Sequence, residues 1–275
     1  MKKRLTRFLP FLLAFTIALP SYSVFAEEEN QAKETQTNET NETQADETTA
    51  NDTLSLAAET AVLIDAASGE ILYDKDADKK MYPASITKLM TILLALENGK
   101  LTDEITFSHD AVYNIEPGSA HIAILEGETL TLEQVLRAII LRSANEASNG
   151  VAEYVDGSVE AFAKHMTERA KELGCTNTNF VNANGLFDEN HYTTAHDMAL
   201  IARELLKHEE YRSMMSETDY EIPPTNLQTE TRYLHGQHQM LNPNSIYYYK
   251  DAIGGKTGYT VEAGNTLVTY AERDG

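Results

Sequence analysis

Apolar residues recur along the chain with two different periods. Ala61-Val-Leu-Ile-Asp65 and Glu70-Ile-Leu-Tyr-Asp74 flank Ala66-Ala-Ser-Gly69, which predicts a β-hairpin. From Tyr82 to Glu97 the spacing becomes helical. Ile86, Leu89, Met90, Leu93, Leu94 and Leu96 cover most of the circumference, so this helix is expected to be buried on all sides. Pro83 suits its first turn and Gly99 a C′ position. Thr131 and Gln134 form a capping-box pattern ahead of Leu132, Val135, Leu136, Ile139 and Ile140, a helix that ends near Ser143. A further helix runs from Val159 to Leu173 and stops at Gly174. Thr194 and Asp197 open another, with Met198, Ile201 and Leu205 on its apolar face. Strand-like segments return at residues 252–260 and 266–270. Strands at both ends with helices between predict an α/β fold: a mainly antiparallel sheet formed from both chain ends, flanked by helices, with an inserted helical region. The last strand runs into Asp274-Gly275, a turn signal that ordinarily leads to a partner strand, so the domain is expected to be incomplete at its C-terminus.

The N-terminal residues break these patterns. Lys2, Lys3, Arg4 and Arg7 precede an apolar run from Phe8 to Leu19, and Val24-Phe25-Ala26 offers small residues at a cleavage site. Residues 1–26 therefore read as a secretory signal peptide; the apolar run is shorter than the ~20 residues a membrane span needs. Residues 27–54 consist mostly of Glu, Thr, Asn, Gln, Asp and Ala, without an aromatic residue. They are expected to be a disordered acidic linker. The folded domain is then residues 55–275.

The formal charge of −21 belongs largely to that domain. Such a surface repels phosphate backbones and argues against a nucleic acid partner, and an anionic substrate would need cations placed locally. Cys175 is the only cysteine, so the chain forms no internal disulfide; it follows a helix end and reads as a packed residue, not a nucleophile.

Ser85-Ile-Thr-Lys88 puts a hydroxyl and an amine on one face of a helix in its first turn, where backbone N–H groups lack partners. The Ser85 N–H is free there to bind an oxyanion. A lysine acting as base near neutrality needs its pKa lowered by ~3 units, roughly 4 kcal/mol. The helix dipole supplies at most ~2 kcal/mol, so burial or a second cation must supply the rest. The pattern alone is weak, since Ser-x-x-Lys arises about once by chance in such a chain. Ser143-Ala-Asn145, just past the capped helix, could equally be caps opening a new helix at Glu146. Gly254-Gly-Lys-Thr-Gly-Tyr-Thr260 is rarer, with a chance expectation of ~0.1 for Lys-Thr-Gly. Its glycines suit close approach of another backbone, so a ligand could lie along this strand edge, with Lys256 and Thr257 holding a carboxylate.

Together, in this order, the three motifs resemble the penicillin-binding protein and serine β-lactamase superfamily. The segments Tyr82-Pro-Ala-Ser-Ile-Thr-Lys-Leu-Met-Thr91, Ser143-Ala-Asn-Glu-Ala-Ser148, Asn184-Gly-Leu186 and Gly255-Lys-Thr-Gly-Tyr259 are similar to low-molecular-mass D-alanyl-D-alanine carboxypeptidases. The resemblance implies that Ser85 attacks the bond between the terminal D-alanines of a peptidoglycan stem peptide, with Lys88 as general base. It implies that Ser143 relays a proton to the leaving amine and Asn145 binds a substrate amide. Lys256 and Thr257 would hold the terminal carboxylate, Gly258 would line the same strand, and the Ser85 and Tyr259 N–H groups would form the oxyanion hole. It implies β-lactams as covalent inhibitors and no metal or cofactor. The family's C-terminal β-rich domain and amphipathic membrane anchor are not seen in the chain, so membrane association would depend on such an anchor. The site of action would be extracytoplasmic, at the cell wall or the outer membrane face.

Two alternatives keep the same motifs. A β-lactamase would carry a deacylating glutamate after the Ser-x-Asn motif. Glu189 lies in that region, but Phe187-Asp-Glu-Asn190 does not match the Glu-x-x-Leu-Asn pattern. A non-catalytic penicillin-sensing domain should follow transmembrane helices, which the sequence does not display. His235 and His238 lack metal-site spacing and read as surface or loop residues.

Overall fold

The computed structural model describes residues 56–273. The expected signal peptide (1–26), the expected linker (27–54), residue 55 and the Asp274-Gly275 turn lie outside them. The order is β1 (Ala61–Ile64), β2 (Ile71–Lys75), α1 (Lys88–Asn98), β3 (Glu104–Thr106), α2 (His109–Tyr113), β4 (Thr129–Thr131), α3 (Leu132–Arg142), α4 (Asn145–Asp156), α5 (Val159–Glu172), α6 (Ala195–Leu205), α7 (Glu209–Met214), β5 (Asp219–Ile222), β6 (Arg232–His235), β7 (Ala252–Thr260) and β8 (Gly264–Ala271).

Among the described residues every strand pairing is antiparallel, in four two-stranded sheets: β1–β2, β3–β4, β5–β6 and β7–β8. The terminal pairs β1–β2 and β7–β8 are not hydrogen-bonded to each other, and α6 lies against both. The helical region between them is built around α1. Its residues from Lys88 to Ala95 are all buried, and α3, α4, α5 and α6 pack on it. Side chains that are apolar nearly all round can be satisfied only in this way, at the centre of a helical cluster.

The caps form as the sequence requires. Thr131 accepts from the Gln134 N–H while Gln134 accepts from the Thr131 N–H, a closed capping box. Thr194 accepts from the Asp197 N–H at the start of α6. Gly174, at φ +91°, ends the α5 region.

Two local details differ from expectation. Residues Ala84–Thr87 form a turn of 3-10 helix, and the α-helix begins only at Lys88. Gly99 follows α1 in an extended conformation, φ −137°, not the left-handed one usual at C′. What requires a glycine there is space: a Cβ would lie 2.8 Å from Tyr154 Oη and 2.9 Å from Leu132 Cδ2.

Candidate active site

The site lies where the 3-10 turn, the α3–α4 junction, the 182–186 loop and β7 converge. Ser85 sits in the turn, directly after Ala84, whose φ is +49°. A positive φ at a residue with a Cβ is a local cost that persists only where the surroundings enforce it. Two glycines close around this turn. A Cβ on Gly185, at φ +82°, would lie 1.9 Å from the Ala84 carbonyl oxygen. A Cβ on Gly258 would lie 2.7 Å from the Ser85 nitrogen and 3.1 Å from that of Ile86. Thr266 Oγ1 donates to the Pro83 carbonyl at 2.8 Å, fastening β8 to the start of the same turn.

Lys88 is fully buried. Its Nζ lies 2.9 Å from Ser85 Oγ, 2.8 Å from Asn145 Oδ1 and 2.5 Å from the Asn184 carbonyl oxygen. Asn145 Oδ1 and the Asn184 oxygen can only accept, so each takes an N–H. A neutral amine then has one lone pair left, directed at the Ser85 hydroxyl. Burial first, and the charge of Lys256 second, hold the Lys88 pKa well below the usual lysine range. The needed drop thus comes from both sources that the dipole argument left open.

Ser143 caps α3 in the left-handed conformation, φ +57°, and Asn145 opens α4. The reversal between the helices turns both side chains toward α1 and β7. Lys256 Nζ lies 3.0 Å from Ser143 Oγ and 2.7 Å from the Thr257 carbonyl oxygen. Lys256 is 2 % exposed, and burial pulls its pKa down to about 7. Thr257 is half-buried beside it, Gly258 faces the Ser85 amide, and Tyr259 is exposed on the outer run of β7. The structure therefore brings Ser85, Lys88, Ser143, Asn145, Lys256 and Gly258 into one cluster. Thr257 and Tyr259 line its strand edge.

Several supporting residues carry no signal in the motifs. Asn184-Gly-Leu186 enters the sequence reading only as flanking similarity, yet the 182–186 loop forms a wall of the site. The Asn182 side chain accepts from the Gly185 N–H at 2.7 Å, and Asn184 Nδ2 donates to Asn149 Oδ1 at 3.1 Å. Thr91 Oγ1 donates to the Ala183 carbonyl at 2.6 Å. Behind the 3-10 turn, buried His191 accepts from the Val181 N–H at Nδ1, so its Nε2 carries the proton and donates to Thr87 Oγ1 at 2.8 Å. Burial lowers the His191 pKa to about 4, so the ring is neutral at ordinary pH. Asx-type turn residues at Asn182 and Asn184 are visible in sequence; the contact of the Asn184 carbonyl with Lys88 is not. Glu189 is exposed, His235 bonds Asp219 at the surface, and Cys175 is buried with its thiol pKa pushed up to about 12 by burial.

The geometry sets a serine hydroxyl beside the amine of a buried lysine. The fold matches the crystal structure of a Streptomyces DD-transpeptidase with a TM-score of 0.73 at 25% identity, over 80% of this chain and 86% of that one. It matches a D-alanyl-D-alanine carboxypeptidase from Mycobacterium tuberculosis H37Rv with a TM-score of 0.71 at 28% identity, over 79% of each chain. The D-alanyl-D-alanine carboxypeptidase DacF of Bacillus subtilis is 38% identical over 226 residues, covering 80% of this chain and 55% of the relative. The chain belongs to the D-alanyl-D-alanine carboxypeptidase family of peptidases, whose family model matches residues 44–275. That match begins inside the segment read as a linker. The chain spans about half the length of several curated relatives that it matches.

Proposed function

We propose that the protein is a serine-type D-alanyl-D-alanine carboxypeptidase that removes the terminal D-alanine from peptidoglycan stem pentapeptides through an acyl-enzyme on Ser85. The observation that carries this reading is the fully buried Lys88 amine, 2.9 Å from Ser85 Oγ with its two N–H groups committed to carbonyl acceptors. Lys88 takes the Ser85 proton as Oγ attacks the penultimate D-alanine carbonyl, and the peptide N–H groups of Ser85 and Tyr259 receive the developing oxyanion. Each such donor is worth ~3–4 kcal/mol in an acyl-transfer site. Ser143, bonded to Lys256, passes a proton to the departing amine, and Asn145 orients the substrate amide. Lys256 and Thr257 hold the free carboxylate, the local cation that an acidic protein needs for an anionic substrate. Water then hydrolyses the ester.

β-Lactams acylate the same serine. Their ring-opened leaving group stays attached, and the exposed Glu189 is not a buried base for the hydrolytic water, so the acyl-enzyme is long-lived. Residues 1–26 serve as a cleaved export signal and residues 27–54 as a linker, which puts residues 55–275 to work outside the cytoplasmic membrane. The basic n-region and the apolar run support this assignment.

The test has two arms on wild type and Ser85→Ala. Wild type should release D-alanine from a stem pentapeptide and take a fluorescent penicillin label, and the mutant should do neither. Labelling of a folded Ser85→Ala protein would remove Ser85 from this role. Rapid penicillin turnover, about 10 per second or more, would make the protein a β-lactamase instead.

A further inference from the structure

The carboxyl of Glu146 has no part in the steps above, yet the fold buries it beside them. Glu146 stands in the first turn of α4 and is 1% exposed. Its Oε1 accepts from the Ile122 N–H at 2.7 Å, and next to it the Asn145 N–H donates to the Ala120 carbonyl at 2.9 Å. These two bonds fix the 120–122 stretch against the start of α4. Its Oε2 is buried with no hydrogen-bond partner among the described residues. One residue back, the Asn145 side chain holds Lys88 Nζ at 2.8 Å. Beyond Ile122, only the backbone N–H groups of Glu146 itself and of Ile124 bear on the carboxyl as donors; burying it is costly, and an apolar or amide side chain could pack the same space.

We propose that Glu146 is a positioning residue for the acyl-transfer reaction: its buried carboxylate clamps the 120–122 stretch to α4 and, through its field at Lys88, sets the pH at which Lys88 becomes a base. The proposal rests on the reading that Ser85 and Lys88 carry out acyl transfer. Three charged or titratable groups bear on Lys88 from the elements packed around it: Lys256 from β7, Glu146 from α4 and His191 from the segment before α6. His121, on the loop that Glu146 holds, faces the carboxyl. Burial and Lys256 lower the Lys88 pKa while Glu146 raises it, and burial in turn raises the Glu146 carboxyl above its ordinary range. The first turn of a helix favours the ionised carboxylate. An ionised Glu146 favours the Lys88 ammonium, so removing that charge frees the base at lower pH.

The test measures acylation by a fluorescent penicillin against pH for wild type, Glu146→Gln and Glu146→Asp. Gln keeps an oxygen for the Ile122 N–H but carries no charge. Its acid limb should move down by about one pH unit, giving about tenfold faster acylation than wild type at a pH on that limb. The Asp variant keeps the charge, and its limb should stay near that of wild type. A Gln limb that is unmoved or shifts upward overturns the proposal, as does an Asp limb that shifts with it. If the Gln variant does not fold, carbon-13 glutamate NMR on the wild-type protein decides. A buried glutamate carboxyl should respond through the same pH range as the acylation limb, and a carboxyl blind to that range overturns the proposal. A wild-type protein that takes no label at any pH would instead overturn the acyl-transfer reading beneath it.

Discussion

Two carbonyl oxygens decide what Lys88 can do. Asn145 Oδ1 and the Asn184 carbonyl each demand an N–H, and a neutral amine has only two to give. The remaining lone pair has the Ser85 hydroxyl as its neighbour, which is the arrangement a base needs before the proton moves. Lys88→Met preserves the volume and removes the base. Acylation by penicillin should fall by at least ~10³-fold, with the unfolding midpoint not lowered, because relief from burying a lysine offsets the loss of its bonds to Asn145 and the Asn184 carbonyl. Stopped-flow labelling and thermal denaturation would read the two effects, and acylation within tenfold of wild type would exclude the base role. Gly185 acts on the same atoms from the other side. Its φ of +82° and the 1.9 Å approach of a Cβ to the Ala84 carbonyl leave no room for alanine, because the obstacle is backbone. Gly185→Ala should push the turn that carries Ser85 out of place and reduce acylation by about 100-fold, since displacements near 1 Å have that effect in oriented reactions. A Gly185→Ala enzyme labelled at the wild-type rate would show that the turn tolerates movement.

At the scale of elements, the competition is between local preference and packing. Gly150 stands in the middle of α4, where alanine would favour the helix by up to ~1 kcal/mol. A Cβ there would lie 2.3 Å from the ring of Phe107, which is itself buried in the core. Overpacking of that kind costs about 1–3 kcal/mol, so Gly150→Ala should destabilise despite its better propensity; a higher urea midpoint would show that Phe107 can yield. The same competition explains what the sequence conveyed. α3, α5, α6, β1–β2 and β7 were legible because each carries caps or a sustained period that packing reinforces. The 3-10 turn at Ala84–Thr87 was read as α-helix, since Pro83 and the apolar spacing suit both and only the β8 and Gly185 contacts select the tighter form. β3 and β4, three residues each, are too short to show a period. The three motifs of the candidate site were legible through their joint order. The Asn184 carbonyl, His191 and Glu146 were not, because their contributions come from backbone, from a buried neutral ring and from an acid whose burial no local pattern reveals.

For the molecule as a whole, the site is a stability cost that the core must cover. Among the described residues two lysines are buried, and Lys256 shows the effect most clearly because its pKa falls to about 7 from an ordinary value of about 10.4. Between those two pH values the unfolded chain holds a proton on this residue that the folded chain lacks. The stability contributed by this group therefore rises with pH through that window. Below about 7 both states are protonated and the full cost of the buried charge remains. Replacing Lys256 with methionine removes the titration and keeps an unbranched chain of similar length, at the loss of the bonds to Ser143 and the Thr257 carbonyl. The balance at pH 7 should favour the variant by about 1–3 kcal/mol, while, under the proposed function, release of D-alanine from a stem pentapeptide should collapse. The gain should shrink as the pH approaches 10, where the wild-type lysine is neutral in the folded state at little cost. Urea unfolding of both proteins at pH 6, 7 and 9.5 would follow this. A Lys256→Met protein less stable than wild type at pH 6, or a difference that does not narrow with rising pH, would show that Lys256 is held by its hydrogen bonds in spite of burial and that the site is not maintained at the expense of the fold.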